Sequence, residues 1–386
     1  MNFELTDDQK MIRDAVRDFA EREVRPVAKE LDEKAEFSVE LTKKIGELGL
    51  FGMYLPEQYG GQGMDTLSYI IAVEEMARVD SSQAATLAAH NSLGIGPIYY
   101  YGTEEQKMKY LPQLCTGDGL WAFGLTEPDA GSDSRGTKTK AYIENGEWVI
   151  NGSKIFITNG ASELSLGSTV QAVTSDNDGK KLYTAIIVEK GTKGFTSVPM
   201  HGKMMWRASD TAELYFDDCR VPEENLLGEI GKGSKIMLST LDNGRLSIAA
   251  MGLGLAQGAF DLAMQYSHER KQFGQFIYTF QNTSFKMADA ATKIELARNL
   301  LYKACWLKDN HKPFAKEAAM SKLYCSEIAK EVADLAVQIH GGYGLMKDYE
   351  IERFYRDQRL LQIGEGTSEI QRLVISRYIS NEFLGK

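Results

Sequence analysis

The chain has 386 residues, 43% of them hydrophobic and 25% charged, with a formal net charge of −10. That composition describes a globular chain long enough for two or three domains. The acidic balance argues against a nucleic-acid partner, although a few local arginines and helix N-termini can still hold a phosphorylated cofactor.

The N-terminus begins Met1-Asn2-Phe3-Glu4 with charged residues and no apolar signal region, so a soluble, cytoplasmic protein is expected. From Thr6 to about Leu114 the pattern is helical. Thr6 and Gln9 have capping-box form, and Met11, Ile12, Ala15, Val16 and Phe19 recur at helical spacing. Pro26 marks a kink or break. A second helix fits residues 40–48, Pro56 to Gly61 is a turn cluster, and helices resume over 66–79 and 84–101.

The middle of the chain changes character. Asn145-Gly146, between Ala141-Tyr142-Ile143 and Trp148-Val149-Ile150, is a hairpin signal because both turn residues tolerate positive φ. Further strand-like runs are 155–158, 182–188 and 213–216, with Asp178-Gly179 as a turn before the second. Helical patterns return over 289–309 and 313–340, and Gly341-Gly342 breaks the latter. The apolar stretch 246–260 is dominated by Gly and Ala and contains Gln257, and reads as too short and weakly apolar to span a bilayer. Cys115, Cys219, Cys305 and Cys325 have neither CxxC nor Cys/His metal spacing, so buried reduced thiols and no metal site are expected. The fold class is therefore α+β: an N-terminal helical domain at 1–118, a middle antiparallel β domain at 119–230 and a C-terminal helical domain at 231–386.

Four segments carry chemistry. In Gly124-Leu125-Thr126-Glu127-Pro128-Asp129-Ala130-Gly131-Ser132-Asp133, a tight turn and two hydroxyls suit a phosphate or a flavin edge, or simply a strand-capping loop. In Arg270-Lys271-Gln272-Phe273-Gly274, with Gln281 beyond, Arg270 suits a pyrophosphate or a solvated helix end. Gln338-Ile339-His340-Gly341-Gly342 allows close backbone approach to a ligand, or is a glycine cap with a structural histidine. In Gly364-Glu365-Gly366-Thr367-Ser368-Glu369, a carboxylate between glycines can enter a cavity and Thr367 or Ser368 can cap a helix; alone, it is equally a surface loop acid.

In this order and separation, the four segments resemble the acyl-CoA dehydrogenase family over essentially the whole chain. Asn151-Gly152-Ser153-Lys154-Ile155-Phe156-Ile157-Thr158 and Arg207-Ala208-Ser209-Asp210-Thr211 support the likeness. The resemblance implies that the C-terminal domain is a four-helix bundle. It places Phe123, Leu125 and Thr126 against the isoalloxazine of FAD, with Ser132 near the CoA or FAD phosphates. Phe156, where relatives often carry Trp, would cover the flavin, and Thr158 would bond its edge. Arg270, Gln272, Phe273 and Gln281 would reach FAD bound mainly to a neighbouring subunit, as would Gln338, Gly341 and Gly342, with Thr367 and Glu369 closing the site. A shared cofactor implies a homo-oligomer, usually a tetramer. Asp242 and Arg245 would contact CoA, and Gly364 and Gly366 would border the acyl group.

Glu365 is the catalytic base that the resemblance implies; some relatives instead place theirs at the position of Gly244. The implied reaction removes an α-proton and a β-hydride from an acyl-CoA thioester, giving a trans-2-enoyl-CoA, with electrons passing to an electron-transferring flavoprotein. Gly364, where many relatives have Tyr, suggests a wider pocket and a branched, cyclic or bulky acyl group. Ala84, where glutaryl-specific relatives have Arg, argues against an anionic tail. Rival readings are an enoyl-CoA reductase using the same residues, an oxidase of the same fold, and a non-catalytic helical assembly protein.

Overall fold

The computed structural model describes residues 4–177 and 180–385; Met1-Asn2-Phe3, Lys386 and the turn predicted at Asp178-Gly179 lie outside them. The Thr6 hydroxyl accepts from the Gln9 N–H while the Gln9 carboxamide accepts from the Thr6 N–H, so the capping box forms and starts α1 (Asp7–Phe19). A π-helical turn at Ala20–Val24 then runs straight into α2 (Arg25–Lys34). Pro26 therefore does not break the rod. It sits in the first turn of α2, and the wider turn lets the Arg25 N–H donate to the Ala20 carbonyl.

Ser38 caps α3 (Val39–Glu47), and the 56–61 cluster folds as one 3₁₀ turn ended by Gly60 at φ +84°. Then come α4 (Thr66–Ala77), α5 (Ser81–Ala89), a π segment at His90–Ile95, α6 (Gly96–Tyr101) and α7 (Glu104–Leu114).

The middle strands are β1 (Leu120–Gly124), β2 (Lys140–Glu144), β3 (Glu147–Thr158), β4 (Ser165–Asn177), β5 (Lys180–Glu189), β6 (Phe195–Pro199), β7 (Thr211–Pro222) and β8 (Leu226–Leu227). They form one sheet in the order β6-β7-β3-β2-β4-β5-β8, with β1 paired to β4. The β2–β3 hairpin turns at Asn145 and Gly146, both at positive φ as its sequence requires. The sheet is not wholly antiparallel: β4 runs parallel to β1 and, over one pair, to β2. The long connection after β1 carries the chain away before β4 returns beside it, which permits a parallel partner.

The C-terminal part comprises α8 (Gly233–Glu269), a small hairpin of β9 (Lys271–Gln272) and β10 (Gln275–Phe276), α9 (Gln281–Asp309), α10 (Ala315–His340), α11 (Ile351–Leu361) and α12 (Ser368–Phe383). Helix α8 packs on α10, α9 and α4, and α10 packs on α9, α11 and α12. By length and composition α8 is apolar enough to cross a bilayer, which corrects the reading from the 246–260 run alone. The helix extends beyond that run at both ends, and 78% of its most apolar window is buried inside the protein. Its glycines serve that packing. A Cβ at Gly254 or Gly258 would lie 2.1 Å from the Glu74 or Arg78 carbonyl oxygen at the end of α4. The four cysteines are free and buried.

Candidate active site

Between α11 and α12 the chain makes a tight turn in which Glu365 takes φ +52° and Gly366 φ +96°. A left-handed glutamate costs about 1–2 kcal/mol, so the surroundings must impose it. Two side chains do. The Lys322 ammonium of α10 donates to the Gly366 carbonyl at 2.8 Å, and the Gln371 carboxamide of α12 donates to the same oxygen at 2.9 Å and to the Glu365 carbonyl at 3.4 Å. Lys322 and Gln371 are both fully buried. Thr367 caps α12 by accepting from the Ile370 N–H, and Ser368 donates to Glu327. The Glu365 N–H itself donates to no acceptor among the described residues.

This turn drives the Glu365 side chain down onto α8. A Cβ at Gly244 would stand 1.9 Å from Glu365 Oε2, so only glycine leaves room for the carboxylate. Oε2 is buried and has no hydrogen-bond partner among the described residues. Burial pushes the Glu365 pKa up to about 7, with Lys322 and then Arg245 pulling it back. Burial lowers Lys322 to about 8, opposed first by Glu365. Next to Gly244 on α8, the buried Arg245 pairs with Asp242, and Arg245 Nε has no hydrogen-bond partner among the described residues. The Asp242 pKa is raised by burial against the pull of Arg245.

A second group lies where β1 meets β3. Phe123 is buried in β1, and Leu125 and Thr126 follow it, half-buried. Lys154 and Glu127 form a buried ion pair at 2.7 Å beneath this segment. Glu127 also accepts from the Lys138 and Thr139 N–H groups, Lys154 reaches the Leu125 carbonyl, and the Ile155 N–H donates to the Thr126 carbonyl. Burial would raise the Glu127 pKa, but Lys154 and these donors hold it below the usual range. Thr158 is half-buried, and Phe156 stands 64% exposed at φ +61°. Ser132 lies on the exposed loop beyond.

A third group lines an open cleft of about 430 Å³ formed by Arg270, Gln272, Gly341 and Gly342 with Tyr266 and Tyr343. Arg270 lies over the Tyr343 ring, and a Cβ at Gly341 or Gly342 would meet nothing. His340 is buried, stacks on Tyr266 and bonds the Ala336 carbonyl, as a structural histidine should.

The predicted residues do not all converge within one chain. None of the residues lining the cleft belongs to the group around Glu365, and Phe273, Gln281 and Gln338 stand outside the cleft lining as exposed residues. Phe273, 94% exposed at φ +54°, projects from the β9–β10 tip. Glu369 is exposed in the first turn of α12, where its own N–H and the Thr367 hydroxyl lower its pKa. Sequence reasoning missed Lys322, Gln371 and the Glu127–Lys154 pair. Lys322 carried a signal, since it falls on the stripe of Ala318, Cys325 and Ser326, where an unpaired lysine has no structural reason to be.

Comparison with known proteins places this geometry in context. The chain matches the acyl-CoA dehydrogenase N-terminal domain over residues 6–118, the middle domain over 122–219 and the C-terminal domain over 231–380. It is 48% identical over 376 residues to the short-chain specific acyl-CoA dehydrogenase of Clostridium acetobutylicum, covering 97% of this chain and 99% of that one. It is similar in structure to butyryl-CoA dehydrogenase from Megasphaera elsdenii, with a TM-score of 0.95, 45% identity and coverage of 98% and 100%. A chain from the structural work on the electron transferring flavoprotein of Acidaminococcus fermentans gives 0.95, 47%, 98% and 99%. An acyl-CoA dehydrogenase complexed with FAD from Bacillus anthracis gives 0.92, 37%, 99% and 68%.

Proposed function

The chain belongs to the acyl-CoA dehydrogenase family and is an FAD-dependent oxidoreductase, and from that premise we propose that Glu365 removes the α-proton of a short, straight-chain acyl-CoA. The observation that carries this reading is the buried Oε2 of the Glu365 carboxylate, unpartnered among the described residues and seated over Gly244 in an imposed left-handed turn.

The residues present fit FAD. Phe156 offers an exposed aromatic face, and the open backbone at Gly341-Gly342 beside Arg270 suits a pyrophosphate. Phe123, Leu125, Thr126, Phe156, Thr158 and Ser132 would hold one cofactor. Arg270, Gln272, Phe273, Gln281, Gln338, Gly341 and Gly342 would reach that of a second subunit, which explains why the two sets stand apart in one chain. A homotetramer follows as the proposed assembly, with domains at 1–118, 119–230 and 231–386 in a soluble cytoplasmic protein. The chemistry that bound FAD supplies is acceptance of the β-hydride.

The chain's own residues prepare the proton transfer. A carboxyl group with a pKa of about 7 is substantially ionised at neutral pH, yet far more basic than a solvated glutamate. The unclaimed Glu365 N–H is a donor for the thioester oxygen, where charge develops as the proton leaves. Asp242 and Arg245 lie on the same face of α8 and would orient the CoA-bearing substrate. Thr367 and Glu369 fix the start of α12 behind the base.

The expectation of a bulky or branched acyl group finds no support: the similar proteins from Clostridium acetobutylicum and Megasphaera elsdenii are a short-chain specific acyl-CoA dehydrogenase and a butyryl-CoA dehydrogenase. A Cβ at Gly364 would meet the Leu360 side chain at 3.5 Å, an ordinary contact, whereas one at Gly244 would stand 3.2 Å from Leu93. An electron-transferring flavoprotein is the proposed electron acceptor, supported by the similarity to a chain studied with one.

Anaerobic titration of the yellow holoenzyme with butyryl-, isovaleryl- and octanoyl-CoA tests the reading. Butyryl-CoA should bleach the flavin fastest, and Glu365→Gln should stay yellow and unbleached. Preferential bleaching by isovaleryl- or octanoyl-CoA would overturn the substrate class. Wild-type bleaching of Glu365→Gln would overturn the base.

A further inference from the structure

Lys322 is a fully buried ammonium on the apolar face of α10, and its Nζ donates to the Gly366 carbonyl at 2.8 Å. No carboxylate oxygen forms an ion pair with it within 4.0 Å among the described residues. Burying a charge that way is costly unless a nearby charge compensates. The charged groups facing it are Glu365 on the turn, Glu369 on α12, Glu327 on its own helix and Arg245 on α8. Glu327 is occupied by Gln362, Ser368 and Arg372, Asp242 is occupied by Arg245, and Glu369 is exposed. From α4, Tyr69 faces Glu365 but commits its hydroxyl to the Ala88 carbonyl. The carboxylate left to answer Lys322 is that of Glu365, whose buried Oε2 has no hydrogen-bond partner among the described residues.

We propose that Lys322 is a positioning residue for the base: its ammonium grips the Gly366 carbonyl to fix the turn that aims Glu365, and its charge favours the ionised carboxylate. This rests on the reading of Glu365 as the base. Lys322 is the leading positive influence on that carboxyl group, ahead of Arg245. Replacing it separates the two parts of the role, because Gln keeps a donor for Gly366 without the charge, Met loses both, and Arg keeps the charge.

The test is the pH profile of flavin bleaching by butyryl-CoA in the Lys322→Gln, Lys322→Met and Lys322→Arg holoenzymes. Infrared titration of the Glu365 carboxyl band, taken as the difference from Glu365→Gln, gives a second reading. In the Gln and Met variants the acid limb and the carboxyl titration should both move up by about one pH unit, so bleaching is about tenfold slower well below the limb. The Met variant should also lose rate at every pH, and the Arg variant should keep the limb in place. A uniform loss of rate with an unmoved limb in Lys322→Gln would reduce Lys322 to a structural role and overturn the proposal. If Met fails to fold with FAD, the Gln and Arg variants carry the test alone. Failure of the underlying reading looks different: Glu365→Gln would then bleach normally, and no limb would depend on Glu365.

Discussion

The contact between Gly244 and Glu365 makes a prediction in which activity and stability move in opposite directions. In Gly244→Ala the new methyl group would lie 1.9 Å from Glu365 Oε2 and 2.9 Å from its Cδ, with Leu93 Cδ2 at 3.2 Å. The leucine can yield a few tenths of an ångström. The carboxylate must retreat from 1.9 Å to an ordinary contact, about 1.5 Å, and a reacting group misplaced by about 1 Å costs about 100-fold in rate. Alanine within a long helix is otherwise favourable over glycine by about 0.5–1 kcal/mol. The variant should therefore melt no lower than the parent and keep its flavin, yet reduce that flavin with butyryl-CoA at least about 100-fold more slowly. Stopped-flow bleaching of the flavin band and thermal melting together decide it. A rate within threefold of the parent (about 0.65 kcal/mol) would mean the carboxylate does not sit where the structure puts it when it acts, and the argument from Gly244 would fail.

Glu365→Gln should be more stable than the parent at pH 8, by up to about 3 kcal/mol. The folded-state pKa of about 7 lies above the ordinary value of 4.5, so the parent loses stability as pH rises from 4.5 through 7, and the two proteins should converge in melting temperature below pH 4.5. Glu127→Gln leaves Lys154 charged and unpaired in a fully buried site, which should cost about 3–5 kcal/mol in urea unfolding; a cost under 1 kcal/mol would show that the pair is not holding the loop after β1. Arg270→Met should lose FAD at least about tenfold more readily on dialysis without changing its fold by circular dichroism, since the cleft it lines would forfeit its charge-assisted bonds to phosphate.

Much of the helical architecture was legible because its punctuation is local. Thr6 with Gln9, and Asn145 with Gly146, name their own geometry through hydrogen-bond reach and tolerated φ. The strands β1, β4 and β6 were not read from residue pattern. Leu120–Gly124 is buried at every position and so shows no alternation, and β4 mixes Ser, Thr and Gln with its apolar residues while buried along most of its described length. The π turn before Pro26 was illegible for another reason: proline announces a missing donor, but not how the preceding turn will absorb it.

The site divides along the same line. Glu365 is legible through the order and spacing of the segments that carry the family resemblance, since an acid between two glycines is by itself equally a surface loop residue, whereas the residues that make it work are scattered over α8, α10 and α12. Gly244 lies in a Gly- and Ala-rich helix and Gln371 in an ordinary helical turn, while Lys322 is marked only by standing on the apolar stripe of α10. Their meaning is created by the fold, which brings an α-carbon of α8 under a carboxylate some 120 residues away (about 180 Å were the intervening chain one helix) and closes the turn from two other helices. The glycine at 244 and the acid at 365 therefore form one feature in two places. Any side chain at 244 competes with Glu365 for the same volume, so a base can reach this spot from α8 or from the turn before α12, but not from both.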